Sequence, residues 1–232
     1  MHAAFTTLDQ RIRMIANEYN DKRIKYHWPA ACCYPYQAKS PPLTFHFTCM
    51  SNLSNFPVLS TRHFLLRQII PTDVAEIFRG LSNPEVTAWY GVSYDMPDAT
   101  QEQMKWYRDI VEQESGIWWA ISHRENPTGL LGTCGFYDRN KENQNTDLGY
   151  WLHPEWWGKA ILQECLPAIL AYAFAHLDIY RVEAEVEPAN IGSSRLLRKL
   201  GFSFEGTRRQ CERRGEHFVD LEYYSMLKDE LG

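Results

Sequence analysis

The sequence predicts an α+β protein of α/β/α type, a mixed sheet with helices flanking it. Three observations carry this. Short stretches such as HFLLRQ (63–68), DLGYWL (147–152) and RVEAEVEP (181–188) alternate as strands do. Between them lie longer stretches with helical periodicity and helix start and stop signals. The resulting order is β, α, α, β, β, β, α, β, α, β, β, with no internal repeat and no low-complexity tract.

The elements follow in turn. After strand 63–68, PTDVAEIFRGLS opens a helix with Pro71 and Asp73 in its first turn. A longer helix runs through ATQEQMKWYRDIVEQES and stops before Gly116. IWWAISHR, the turn ENPTG and LLGTCGFYDR form a hairpin, and KENQNT is a polar loop before the strand DLGYWL. The next helix carries apolar residues at 161, 162, 165, 166, 169, 170, 173, 174 and 177, one broad face. RVEAEVEP is a strand, NIGSSRLLRKLGF a capped helix ending at Gly201, and the tail from Ser203 two final strands.

The first 49 residues lack this order. A short helical stretch, LDQRIRMIANEYNDKRI, gives way to WPAACCYPYQAKSPPLTFHF, where prolines and aromatics follow no period. Residues 1–49 therefore read as a poorly ordered or non-native extension, such as a start placed too early would add. The functional domain spans 50–232, beginning near Met50.

A chain of 232 residues, 44% hydrophobic and 23% charged, suits one core plus an appendage. No run of eighteen apolar residues and no secretion signal occur, which points to a cytoplasmic protein without a membrane role. The net charge of -5 divides into +3 over residues 1–49 and -8 over the remainder, a poor match to nucleic acid and a better one to a cationic amine. Six cysteines without a CxxC pair or a Cys/His cluster imply reduced thiols and no metal site, and Cys134 reads as core. His153 has no partner at metal spacing.

The segment HPEWWGKAILQECL leaves a strand, places Gly158 and Ala160 two apart, and begins an apolar helix at once. Helix-start amides and the helix dipole hold phosphate, and small residues let a pyrophosphate approach the backbone; plain turn chemistry is the competing reading. The segment has neither GxxxxGK[ST] nor GxGxxG.

The series LSTRHFLLR, LSNPEV, LGYWLHPEWWGKA and YRVEAEVEPANIGSSRLLRKLGFSFEG, spread over about residues 59 to 228, resembles the GNAT N-acetyltransferases of the RimJ/RimL type, which acetylate protein N-termini. The resemblance implies a strongly twisted mixed sheet and acetyl-CoA as cosubstrate, without a metal. It implies that the loop Glu155 to Ala160 wraps the pyrophosphate, with amides from Trp156 through Leu162 as donors, including those of Trp157, Gly158, Lys159, Ala160 and Ile161. The family loop has the form Q/R-x-x-G-x-G/A. Glu155 departs from it, because an acid near a pyrophosphate costs affinity unless it points away, and Ile161-Leu162 is bulkier than usual.

Further roles follow from the same resemblance. Backbone groups of Leu148, Gly149, Tyr150, Trp151 and Leu152 hold the acetyl carbonyl and the pantetheine arm, with Gly149 easing a bulge. Asn190 and Ser193 contact the arm, and Ser193 donates a proton to the departing thiolate; helix capping is the alternative for both. Glu212 is the first candidate base, with surface pairing to Arg213 or Arg214 as its alternative, and Asp147 is the second. Apart from the resemblance, Trp118, Trp119, Trp151, Trp156 and Trp157 could line an acceptor groove, but aromatic pairs on strands more often divide between core and surface.

Acetyl transfer needs a neutral amine, a polarised carbonyl and a proton for the leaving group. An α-amine with a pKa of about 7.7 to 8.0 is roughly a tenth neutral at pH 7, and a lysine near 10.4 about 0.04%. A carboxylate base therefore suffices for a protein N-terminus, the expected acceptor. The alternatives are a small amine (polyamine, amino acid or antibiotic), or a CoA-binding protein without turnover. The expected assembly is a monomer or homodimer.

Overall fold

The computed structural model describes residues 56–231. The extension 1–49 and the boundary near Met50 lie outside them. Among the described residues, eight strands form one sheet: β1 (Leu59–Ser60), β2 (Phe64–Gln68), β3 (Ile117–His123), β4 (Gly132–Asn140), β5 (Asn145–Leu152), β6 (Arg181–Val186), β7 (Ser203–Arg214) and β8 (His217–Leu227). Their order across the sheet is β1-β2-β3-β4-β5-β6-β8-β7. All neighbours are antiparallel except β5 and β6, which are parallel. The sheet is mixed, as expected.

Five α-helices among the described residues flank it: α1 (Val74–Leu81), α2 (Pro84–Tyr90), α3 (Thr100–Glu112), α4 (Ile161–His176) and α5 (Ile191–Lys199). Helices α1 to α3 bury Ile77, Leu81, Val86, Met104, Tyr107 and Ile110 against one face, where Trp118, Ala120 and Trp151 point. Helices α4 and α5 bury Ile161, Cys165, Leu166, Ile169 and Leu197 against the other, with Trp119, Ile121, Cys134, Phe136 and Leu148. Strand alternation thus sends the adjacent Trp118 and Trp119 into opposite cores. Both indole N–H groups find acceptors there, Thr133 Oγ1 and Pro57 O, each at 2.8 Å. No helix among the described residues is long and apolar enough to cross a membrane.

Two elements escape the sequence reading, β1 and α2. Signals for α2 were present: Asn83 caps it by accepting from Glu85 N at 2.9 Å, Pro84 starts it, and Gly91 ends it in the left-handed region at φ 74°. At seven residues it is too short for a clear period.

The expected bulge at Gly149 is corrected. Pairing of β4 with β5 runs without interruption from Gly132↔Leu152 to Tyr137↔Asp147, and the register shifts only beyond, between Tyr137 and Asn140. Gly149 serves packing instead, because a Cβ there would lie 2.5 Å from Cη2 of Trp118.

Candidate active site

Strands β5 and β6 pair only over Asn145↔Arg181, Thr146↔Val182 and Asp147↔Glu183. Beyond that point both continue, β5 to Leu152 and β6 to Val186, without pairing to each other. The sheet therefore opens into a cleft in its middle. Backbone groups along the cleft side of Leu148 to Leu152 lack a β6 partner, which makes them available to a ligand, except Leu152 O, which Trp157 Nε1 already engages.

Asp147 stands at the closed end of this cleft. Burial, together with the nearby carboxylates Glu185, Asp138 and Glu183, pushes its pKa up to about 8. Tyr137, which packs into the α1–α3 core, feels the charges of Asp147, Glu185, Asp138 and Glu212 and is raised as well, chiefly by burial. Asp147 thus belongs with the α1–α3 face of the sheet.

The other face carries Tyr150 and Ser193. The Tyr150 hydroxyl donates to Ser193 Oγ at 3.1 Å, linking β5 to α5 across the open cleft. Burial pushes Tyr150 up to about 12, so its proton stays in place at neutral pH. Because Ser193 Oγ accepts from Tyr150, its own hydrogen is free to point elsewhere. Asn190 Oδ1 accepts from Ser193 N at 3.1 Å and so caps α5. The side chain of Asn190 is therefore engaged as the alternative reading foresaw.

The connection from β5 to α4 begins with a single turn of 3₁₀-helix, Pro154–Trp156. Trp157 Nε1 donates to Leu152 O at 2.9 Å, and Lys159 Nζ lies 4.4 Å from the centroid of the Trp156 ring, so side chains brace the loop at its edge. Gly158 has φ 71°, and a Cβ built on it would meet nothing within 4 Å. Ala160, the N-cap of α4, holds the left-handed conformation at φ 59°. The first bond of the helix runs from Glu164 N to Ala160 O at 3.2 Å, so the amides of Ile161 to Gln163 have no acceptor within it. An open cradle above unbonded helix-start amides fits a diphosphate in both shape and donor set.

Glu155 does not face that cradle freely. Its Oε1 accepts from Arg79 Nη1 of α1 at 2.7 Å. Glu212, on β7, accepts from Arg214 Nε at 2.6 Å, and Arg214 Nη2 also lies 3.3 Å from Glu187 Oε1. This is the surface pairing that its sequence context also allowed. Of the five tryptophans named above, Trp118, Trp119 and Trp151 are core, Trp156 is half-buried and Trp157 is exposed, so these five do not line one groove. His153 is buried beside Trp151 with its pKa lowered to about 4, chiefly by burial, and its nearest carboxylate oxygen is Glu76 Oε2 at 3.4 Å.

Sequence reasoning missed three participants: the Tyr150 hydroxyl, Arg79, and the carboxylates around Asp147. No local pattern marks them, since each acts on a partner remote in the chain.

A mixed sheet that splits beside an anion-binding cradle at the head of the following helix suits a protein that binds a diphosphate-bearing ligand. Residues 63–203 match the family model of the GNAT acetyltransferase domain, and the chain belongs to this family. It is an N-acetyltransferase, and the acetyl donor of the family is acetyl-CoA. The uncharacterized N-acetyltransferase YoaA of Bacillus subtilis (strain 168) is 32% identical over 174 residues, 75% of this chain and 98% of that protein. A RimL ribosomal L7/L12 α-N-protein acetyltransferase solved with coenzyme A shares the fold with a TM-score of 0.64, at 19% identity over 73% of this chain and 97% of that one. So does a spermidine N-acetyltransferase from Vibrio cholerae solved with CoA and spermine, with a TM-score of 0.65 at 17% identity over 72% and 97%.

Proposed function

We propose that this chain transfers the acetyl group of acetyl-CoA to the α-amine of a protein N-terminus, in the manner of the RimJ/RimL enzymes. One observation carries the reading: the cleft between β5 and β6 has Asp147 on one face of the sheet and the Tyr150–Ser193 pair on the other. When bound, acetyl-CoA supplies a thioester whose acetyl carbon accepts the amine. The amides of Gly158 to Leu162 would hold its diphosphate, because those of Trp156 and Trp157, also expected as donors, already donate to His153 O and Pro154 O at 2.9 and 3.1 Å, and the backbone of Leu148 to Leu152 would orient the arm and the carbonyl. Asp147 takes the proton of the incoming ammonium from the α1–α3 side. Ser193, supported by Tyr150, would give a proton to the leaving sulfur from the opposite side and be restored by the second proton that the nitrogen sheds as the amide forms. The base role goes to Asp147 rather than Glu212, because Arg214 already engages the Glu212 carboxylate.

Matched acidity supports this acceptor class. A carboxyl near pKa 8 and an α-amine at about 7.7 to 8.0 exchange a proton at almost no cost, whereas a lysine near 10.4 is more than a hundredfold less acidic. The carboxylates of Glu183, Glu185 and Asp138 favour a second reading, a small polycationic amine. A cytoplasmic location, and a monomer or homodimer, accompany either reading. Assays of CoA release with N-terminal peptides and with polyamines decide between them. Peptides are expected to show at least about tenfold higher kcat/KM, a difference of ~1.4 kcal/mol at the transition state. A preference for spermidine would transfer the assignment to the second reading.

Two substitutions test the assigned roles. Ser193→Ala is expected to slow turnover by about 100-fold at every pH, the lower end of general acid catalysis, with acetyl-CoA affinity unchanged. Loss of affinity without loss of rate would leave Ser193 a binding contact. Gly158→Val places a branched side chain in the open cradle and is expected to weaken acetyl-CoA binding by about tenfold or more, as measured by calorimetry. Its fold should lose only about 1–2 kcal/mol, the strain of a side chain at φ 71°. Unchanged affinity in the folded variant would remove the loop from the binding site.

A further inference from the structure

We infer that Arg79 is a positioning residue for the diphosphate loop: it draws the Glu155 carboxylate onto helix α1 and keeps it off the amides that receive the anion. The inference rests on the cofactor reading above. It arises from a conflict in the sequence, since an acid stands three residues before Gly158 in a loop whose donors suit a negative ligand. A free carboxylate there acts against binding in two ways. It repels the phosphates, and it is itself an anion able to occupy helix-start amides in their place.

The geometry resolves the conflict. Arg79 places Nη1 at 2.7 Å from Glu155 Oε1, and directs Nε and Nη2 at Glu76 Oε2, at 2.9 Å and 2.7 Å. Held between two carboxylates on two segments, the guanidinium is fixed by its fork rather than by a single contact. Its hydrogen bonds and charge pairing in turn hold Glu155 below the usual carboxylate range. Neighbouring cations do not substitute for it. His153 is buried and neutral at working pH, and Lys159 rests on the Trp156 ring. Both partners of the pair are about half exposed, 49% for Arg79 and 48% for Glu155, so the pair contributes little to folding and its removal leaves the protein folded.

The test is a calorimetric titration of acetyl-CoA into four proteins: the unaltered chain, Arg79→Gln, Glu155→Gln and the double variant. Arg79→Gln is expected to bind about tenfold more weakly at about 50 mM salt, with a smaller deficit at about 500 mM, where exposed charges are screened. Glu155→Gln is expected to bind at least as tightly as the unaltered chain. The double variant should return to within about threefold of Glu155→Gln, because the carboxylate that needed restraint is gone. Recovery on removing a second residue is something a purely structural role of Arg79 does not produce. An unaffected Arg79→Gln, or a double variant as weak as Arg79→Gln alone, would overturn the inference. Absence of binding in all four proteins would instead overturn the cofactor reading. Melting temperatures within about 2 °C of each other establish that the comparison is among folded proteins.

Discussion

Asp147→Asn is expected to lower kcat/KM by about 100- to 10,000-fold, the range for loss of a positioned general base. The carboxyl sits at the closed end of the β5/β6 cleft, and burial with Glu185, Asp138 and Glu183 raises it to about 8. Below that value it is protonated and cannot accept a proton, so the activity of the unaltered enzyme should climb with pH and level off above about 8. The asparagine variant should retain only the rise that comes from the free amine of the acceptor. Glu212→Gln, whose carboxylate is already engaged by Arg214, is expected to stay within about threefold of the unaltered enzyme, since losing a surface ion pair costs at most ~1 kcal/mol. A full set of pH–rate profiles checks this. If Asp147→Asn kept the unaltered rate while Glu212→Gln lost it, the base would be Glu212 after all.

The same substitution has the opposite effect on stability. A folded-state pKa raised above the unfolded value of 3.8 means that the native protein binds the extra proton, so stability falls as pH rises between those two values. Asp147→Asn, which cannot ionise, should be indistinguishable from the unaltered protein near pH 4. It should become more stable by a few kcal/mol at about pH 8 and above, since each tenfold change in proton affinity between the folded and unfolded chains corresponds to ~1.4 kcal/mol. Denaturation midpoints at the two pH values measure it. Such a trade, activity gained for stability lost, is characteristic of catalytic groups.

Asp73→Ala is expected to destabilise the fold by about 3–5 kcal/mol, the loss seen when one partner of a buried ion pair is removed. Asp73 is 3% exposed and accepts both arms of the Arg67 fork, from Nη1 at 2.7 Å and Nη2 at 2.8 Å, as well as Ile70 N at 2.8 Å. Through these bonds it fastens the start of α1, and hence Arg79, to strand β2. Its removal leaves the largely buried guanidinium without its counter-ion and the Ile70 amide without an acceptor. Urea unfolding should show a lower midpoint with an unchanged slope. A change below about 1 kcal/mol would mean that water replaces the carboxylate and that the pair is effectively exposed. The double variant Arg67→Met, Asp73→Leu should recover much of the loss, because no unpaired charge then remains.

Local features of this protein were legible in its sequence because local physics determines them. The alternation in β2, β5 and β6, the broad apolar face of α4 and the stop before Gly116 all occur in the structure close to where the sequence places them. The Asn190 cap and the small residues at the head of α4 could be read in the same way, since capping and left-handed turns involve only a few neighbouring residues. The seven-residue α2 and two-residue β1 were not legible, because stretches so short have no period to detect.

What chain folding alone decided is the environment of each chemical group. Asp147 owes its raised pKa first to burial under a sheet face chosen by packing, and then to carboxylates on β4 and β6 that no spacing rule connects to it. Tyr150 meets Ser193 across 43 residues, and Arg79 meets Glu155 across 76. The family resemblance could nominate Glu155 as an obstacle and Glu212 and Asp147 as bases, and the sequence could expect the tryptophans to divide between core and surface without saying which goes where. Only the tertiary structure turned Glu155 aside, separated the two carboxylates by their partners and placed Trp118 in the core. The reason is that pairing energy and desolvation depend on distance and burial in space, whereas periodicity and capping depend on separation along the chain.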